Sequence, residues 1–174
     1  MMTELRNDAV INTIYGGIIA PIKMLVEQEH FRSALLLTFC GIDAMTYLSL
    51  PDEREDSSRK DFSAWCDKYI KLKNTQDRVR GLEFFAARSA LVHNYKAESR
   101  LSDERKVRVL HFFTGQGPDS IYAPQESKEQ ILVRIEGLIE CFIEGVNEFV
   151  IHLFKHHGER TERRLEKMLK QVDR

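Results

Sequence analysis

The sequence predicts an all-α fold, a helical bundle of about five to six helices with one small β-hairpin inserted near residues 106–123. Three observations carry this reading. Apolar residues recur at three- and four-residue spacing through most of the 174 positions, and only four prolines interrupt them. The one stretch that departs from the helical period, Lys106 to Phe113 with Val107, Val109 and the Phe112-Phe113 pair, is followed by turn residues from Gly115 to Pro118. At 43% hydrophobic and 30% charged, the chain has apolar material for a single core and no low-complexity tract.

The first helix is expected from Thr3 to about Glu29, with Val10, Ile14, Ile18, Ile22 and Leu25 on one stripe and a kink or split at Gly16, Gly17 and Pro21. A second, apolar on nearly all sides, runs from about His30 to Leu50 and stops before Pro51. Its length invites a membrane reading, but Asp43 sits at its middle, where a charge costs roughly 2.5 to 3.5 kcal/mol on insertion, so it reads as a core helix. After a charged loop, Asp61 or Ser63 caps a third helix through Trp65, Tyr69 and Leu72 that breaks near Asn74. A fourth starts near Thr75 or Gln76 and ends near Tyr95, and Ser120 to Ala123 returns as the second strand of the hairpin. The last helix is expected over about Gln125 to His157, roughly 50 Å at 1.5 Å per residue, long enough to suggest that one end packs on another chain. Residues 1–157 thus form the bundle, and 158–174 a charged amphipathic tail with Leu165, Met168, Leu169 and Val172 at helical spacing, suited to docking on a partner.

Several function classes are disfavoured. Cys40, Cys66 and Cys141 are odd in number and scattered, which argues against a disulfide framework or a zinc site and for a cytoplasmic setting. His152 and His156 are four apart, yet Leu153 stands where the acid of a zinc hydrolase belongs, so no metal is expected. Met1 to Asp8 lacks the positive region of a signal peptide, and no membrane association is expected. The net charge of −1 predicts no attraction to nucleic acid by itself. From Lys68 to Arg108, however, eleven Lys or Arg face five acids, so this segment carries +6 and the remainder −7.

That cationic segment brackets the run Arg88-Ser89-Ala90-Leu91-Val92-His93-Asn94-Tyr95. Projected at 100° per residue, Leu82, Phe85, Ala86, Ser89 and His93 share one face, expected to point into the bundle, while Phe84, Arg88, Leu91 and Tyr95 fall opposite. Both faces are apolar with polar groups embedded, which suggests that a second subunit covers one of them. Arg88 and His93 lie about 140° apart on an ideal helix. Either the helix unwinds after Val92, or a twofold partner brings its own pair close.

The octet reads R-x4-H-x-Y and resembles the signature of the HEPN superfamily, whose members are helical bundles, many of them metal-independent ribonucleases of toxin and anti-phage systems. The resemblance implies RNA as substrate, no cofactor, a homodimer through the motif helix, and a composite site in which two copies of the motif meet. It also implies an antitoxin partner, a nucleotidyltransferase in two-gene systems, that modifies the tyrosine, here Tyr95. Ser89 departs from the Asn or Asp that many relatives carry after the arginine.

The chemistry follows from residue type. RNA supplies its own nucleophile in the 2'-hydroxyl, so cleavage needs a group to move protons and a cation for the phosphate. His93 suits the first role and Arg88 the second. Ser89, one turn before His93, is placed to fix its tautomer, and Asn94 to end the helix. A Ser-His hydrolase built on Ser89 and His93 lacks a third member. Two readings from other classes stay open: a non-catalytic module binding RNA, nucleotide or protein through the same cleft, and a helical adaptor in which Arg88 merely pairs with Asp43.

Overall fold

In the computed structural model of the chain, the described residues are 11–73, 75, 77–94, 99–104, 106–123, 129–156 and 163–164, with His93, Asn94, Asp103 and His156 described by their backbone alone. A π-helical segment, Asn12–Ile19, runs into α1, Ala20–Glu27. The Ala20 N–H bonds back five residues to the Tyr15 carbonyl, and Pro21 sits in the first turn of α1, where a missing N–H needs no acceptor. The expected kink at Gly16, Gly17 and Pro21 therefore takes the form of a change in helical pitch.

α2, Phe31–Ser49, is the buried centre of the molecule, with Leu35, Phe39, Ile42, Met45 and Leu48 almost fully enclosed. Its buried Thr38 and Thr46 donate their hydroxyls to the Ala34 and Ile42 carbonyls one turn back, both at 2.8 Å, so no polar atom is stranded. Among the described residues no helix is long and apolar enough to cross a membrane.

α3, Arg59–Tyr69, is capped by Ser58, three positions before Asp61 and five before Ser63, the residues expected for the role. Asp61 instead closes a reciprocal box: its N–H donates to the Ser58 hydroxyl, and its carboxylate accepts the Ser58 N–H at 2.8 Å. α4, Gly81–Asn94, begins later than the apolar spacing suggested. Its start is fixed by carboxylates, since the Gly81 N–H donates to Asp67 and the Arg80 N–H to Glu83, each at 2.8 Å. Gly81 also lies so close to the Ser63 carbonyl of α3 that any Cβ there would overlap it. A short α5, Arg100–Asp103, follows, capped by Ser99.

The sheet is larger than the expected hairpin. β1, Val109–Phe113, and β2, Ser120–Tyr122, do not pair with each other; β3, Gln130–Arg134, lies between them in the order β1-β3-β2. β3 runs parallel to β1, from Val109 opposite Gln130 to Phe113 opposite Arg134, and antiparallel to β2. The segment 130–134 was expected as the start of the last helix. Ile131 and Val133 alternate onto the core face, a period-2 pattern that the long apolar run behind it hid. The last helix, α6, is Ile135–His156, about 33 Å at 1.5 Å per residue, which removes the argument from length for a second chain.

One core joins these elements. Trp65 of α3 packs against Tyr69, Phe142 and Phe149, and Phe39 of α2 meets Phe112 of β1 edge-on. A smaller cluster of Ala86, Leu101 and Val107, with Leu82 and Phe85 beside it, sits between α4, α5 and the approach to β1. Of the tail, the described pair Arg163 and Arg164 lies against this same chain: Arg164 stacks over Tyr47 and donates to the Pro51 and Arg54 carbonyls, and Arg163 pairs with Asp52. The apolar tail positions Leu165, Met168, Leu169 and Val172 lie outside the described residues.

The polar anchor of the fold is Glu83, whose side chain is 0% exposed. Arg108, just before β1, grips it with two hydrogen bonds, Nε to Oε1 at 2.6 Å and Nη2 to Oε2 at 2.9 Å, and Arg80 adds its backbone N–H and its guanidinium. Arg108 also holds Asp77 and the Arg78 carbonyl. Burial pushes the Glu83 carboxyl up, but the bonds from Arg108 and Arg80 outweigh it, and its pKa lies below the ordinary 4.5. A carboxyl depressed in the folded state stabilises above its unfolded pKa, and that stabilisation is lost as pH falls through the folded value. Glu83→Ala, which takes from the largely buried Arg108 guanidinium its doubly bonded carboxylate, should lower stability by about 3–5 kcal/mol in urea titrations. Glu83→Gln should cost less and flatten the acid side of the stability profile below pH 4.5.

Candidate functional site

The motif occupies the C-terminal two turns of α4. The buried stripe of this helix is Glu83, Phe84, Ala86, Ala87 and Ala90, roughly a quarter-turn or more away from the face expected to point inward. Alanines are weak apolar signals in a sequence, but their small size lets α4 approach α3 closely, and the larger Leu82 and Phe85 flank that contact. Among the described residues, Phe84 and Leu91 of the second apolar face, like Leu82 and Phe85 of the first, pack within the chain. Phe84 joins the main core at 1% exposure, Phe85 stacks edge-on to Phe62, and Leu82 and Phe85 pack on the cluster with Leu101 and Val107. Val92, 38% exposed, is the large apolar side chain of α4 that reaches solvent among the described residues.

Arg88 points toward α2 and is paired with Asp43, the arrangement weighed from the sequence as the structural alternative. Nε and Nη2 both donate to Oδ2, at 2.8 and 2.7 Å, and the two side chains keep 24% and 32% exposure. Burial raises the Asp43 carboxyl above its ordinary 3.8, and the Arg88 bonds offset this only in part. Burial and the nearby Asp43 charge likewise raise the Cys40 thiol one turn before it. Asp43 is thus an acid that holds its proton more readily than usual while bonded to a guanidinium with an open edge to solvent.

The helix continues through His93 to Asn94, so it does not unwind after Val92. His93 lies on the same side of α4 as Leu82, Ala86 and Ser89, well around the axis from Arg88, and its imidazole and the Asn94 side chain are outside the described atoms. Ser89 is half-buried on that side. Tyr95 lies outside the described residues.

The cationic segment around the motif is largely neutralised by neighbours the sequence does not reveal. Lys71 and Lys73 pair with Glu148 and Glu144 of α6, Arg78 with Asp67, and Arg100 and Lys106 with Glu104. Arg80 and Arg108 serve Glu83, and Lys68 lies over the Tyr69 ring. Most of these pairs are exposed and worth little individually, so they yield to a stronger anion. They nonetheless lower the positive field that the local balance of +6 implied.

A feature the sequence did not flag lies where the start of α2 meets β1. An open cleft of about 710 Å³ is walled by Phe31, Leu35, Leu91, Phe112 and Phe113, with Arg32 and His111 among its polar residues. The signal available beforehand was the cluster His30, Arg32 and Ser33 at a helix start with no acid, which single residues of these types rarely make conspicuous. Among the described residues no group of three or more His, Cys, Asp or Glu is placed to hold a metal ion. No protein-family model, no curated protein and no solved structure matches this chain.

Because Asp43 and Arg88 are each about a quarter to a third exposed, their pair should contribute only about 0–1 kcal/mol. A raised carboxyl stabilises the folded state most below its unfolded pKa and loses that advantage as pH rises through the folded value. Asp43→Asn should therefore change stability at pH 7 by less than about 1 kcal/mol in chemical denaturation. A loss several times larger would mark the pair as a structural bolt.

Proposed function

We propose that the chain is a HEPN-type, metal-independent endoribonuclease acting in the cytoplasm, with Arg88 as the phosphate clamp and His93 as the proton-transfer group. The observation that carries this reading is Arg88 itself: a guanidinium on the motif helix, partly open to solvent, held by one acid whose charge burial disfavours. An RNA phosphate, doubly bonded by the same fork, replaces Asp43 with a better-matched anion. Asp43 then acts as the resting partner of Arg88, Ser89 supports the imidazole, and Asn94 ends the motif helix.

Catalysis on this reading is proton transfer plus charge stabilisation. His93 takes the 2'-hydroxyl proton or protonates the departing 5'-oxygen, work typically worth about 10²- to 10⁴-fold. Because α4 stays helical through His93, Arg88 and His93 of one chain face different sides, and a site built from both calls for a homodimer in which two motif helices meet. A toxin–antitoxin or phage-defence role, with a nucleotidyltransferase antitoxin acting on Tyr95, fits such an enzyme. The second reading, a non-catalytic module for RNA, nucleotide or protein, draws its support from the ion-paired cations around the motif.

Two measurements decide. Purified wild-type protein should cut RNA in EDTA and leave 2',3'-cyclic phosphate or 3'-phosphate ends, with DNA untouched. Arg88→Ala and His93→Ala should each lose cleavage while melting unchanged, whereas RNA binding without cleavage by the wild type would favour the module. For the dimer, light scattering should give about twice the chain mass at micromolar concentration. Val92→Glu, an exposed position that spares the core, should shift it to monomer and abolish cleavage with it. A wild-type monomer at high concentration would remove the composite site.

A further inference from the structure

We propose that the cleft between the start of α2 and β1 is a base pocket of the RNA site. It takes an unpaired base of the strand that Arg88 holds, and so restricts the substrate to single-stranded RNA. The inference rests on the RNA reading of the motif and adds to it the form of RNA that is recognised.

The cleft is continuous with Arg88. That residue stands one turn before Leu91 on α4, and Leu91 forms the cleft wall together with Leu35 of α2. Asp43, the resting partner of Arg88, lies eight residues beyond Leu35, about 12 Å along α2 at 1.5 Å per residue. The two helices that meet at the Arg88–Asp43 pair therefore also lead into the cleft. A strand held at the guanidinium reaches the cleft without leaving this chain.

The lining suits a base and the phosphate that travels with it. Phe31, Phe112 and Phe113 are each half-buried and line a space of about 710 Å³, within the roughly 300–1,000 Å³ typical of ligand sites. Every base has a π-face, so stacking on such rings is strong and tolerant of sequence. A base inside a duplex has its faces covered by its neighbours, whereas an unpaired one can be splayed out onto a protein ring. Charge complementarity comes from Arg32, which lines the cleft and is exposed. Among the described residues Arg32 makes no ion pair, not even with Glu29, the one acid of the lining. Lys71, Lys73, Arg78, Arg80 and Arg108 are by contrast each committed to a carboxylate. A phosphate arriving at Arg32 displaces no partner.

The probe is a short oligoribonucleotide of mixed sequence with every 2'-hydroxyl methylated, which blocks the nucleophile and separates binding from cleavage. Fluorescence anisotropy with the full chain should show the single strand binding at least about tenfold tighter than the same strand annealed to its complement. Phe113→Leu keeps the apolar bulk and removes the ring, so melting should stay near wild type while single-strand binding weakens by about fivefold or more at unchanged salt dependence. Arg32→Gln should weaken binding as well and lower the salt slope by about 0.7, the contribution of one phosphate contact on a single strand. A sugar–phosphate strand without bases should bind wild type and Phe113→Leu alike, an equality that a merely structural role for the ring would not produce. Equal affinity for single strand and duplex, or single-strand binding unchanged in both Phe113→Leu and Arg32→Gln, would overturn the base pocket and leave Arg88 in its role. Failure of the wild type to bind any strand would overturn the RNA reading and the pocket together.

Discussion

A carboxylate with no access to water holds this molecule in register. Glu83 sits in the first turn of α4, and its charge is tolerable inside the protein only because Arg108 and Arg80 surround it with hydrogen bonds. Those two arginines belong to the segments entering β1 and α4, so one buried charge ties the motif helix to the sheet. Asp67 on α3 completes the tie by taking the Gly81 N–H. The axial position of α4 follows from these bonds, and with it the height at which Arg88 meets Asp43. Sliding α4 by one residue would unpair the buried charge and drive Gly81 off the α3 backbone.

Legibility in the sequence followed the strength of local signals. α2 was plain, since its apolar run is long and Pro51 ends it, and the position of Asp43 within it argued for the core helix that the fold contains. β3 was not plain. Gln130 to Arg134 is followed without a break by α6, and Ile131, Ile135 and Leu138 keep helical spacing across the junction. Only the partner strands, about twenty residues away for β1 and ten for β2, decide that the first five residues are extended. The cap of α3 was misplaced for a related reason: Asp61 has the right chemistry but serves as the third helical residue, the partner of Ser58 in the first turn.

The site was legible residue by residue and less so as a surface. The Arg88–Asp43 pair was foreseeable because Asp43 is the one acid in an apolar helix. The neutralisation of Lys71 and Lys73 was not, because Glu144 and Glu148 lie some seventy residues further on and their approach depends on the packing of α6 against α3. Charge counted along a chain measures a segment, whereas a ligand meets the field of everything folded beside it. The inner face of α4 was missed because three alanines define it, and the sequence projection gives weight to size.

The strand order has a consequence for how the chain acquires its structure during synthesis. β1 and β2 emerge first, yet neither has its hydrogen-bonding neighbour until the strand between them follows. The local pair is β2 with β3, antiparallel and about ten residues apart, whereas β1 joins only by a parallel pairing across about twenty residues, a longer-range contact that slows folding. A nascent or truncated chain ending before Gln130 presents two unpaired strand edges, the form most prone to pairing with other chains. The segment that completes the sheet therefore also protects it, and a ribosome pausing ahead of that point would expose the chain at its most vulnerable.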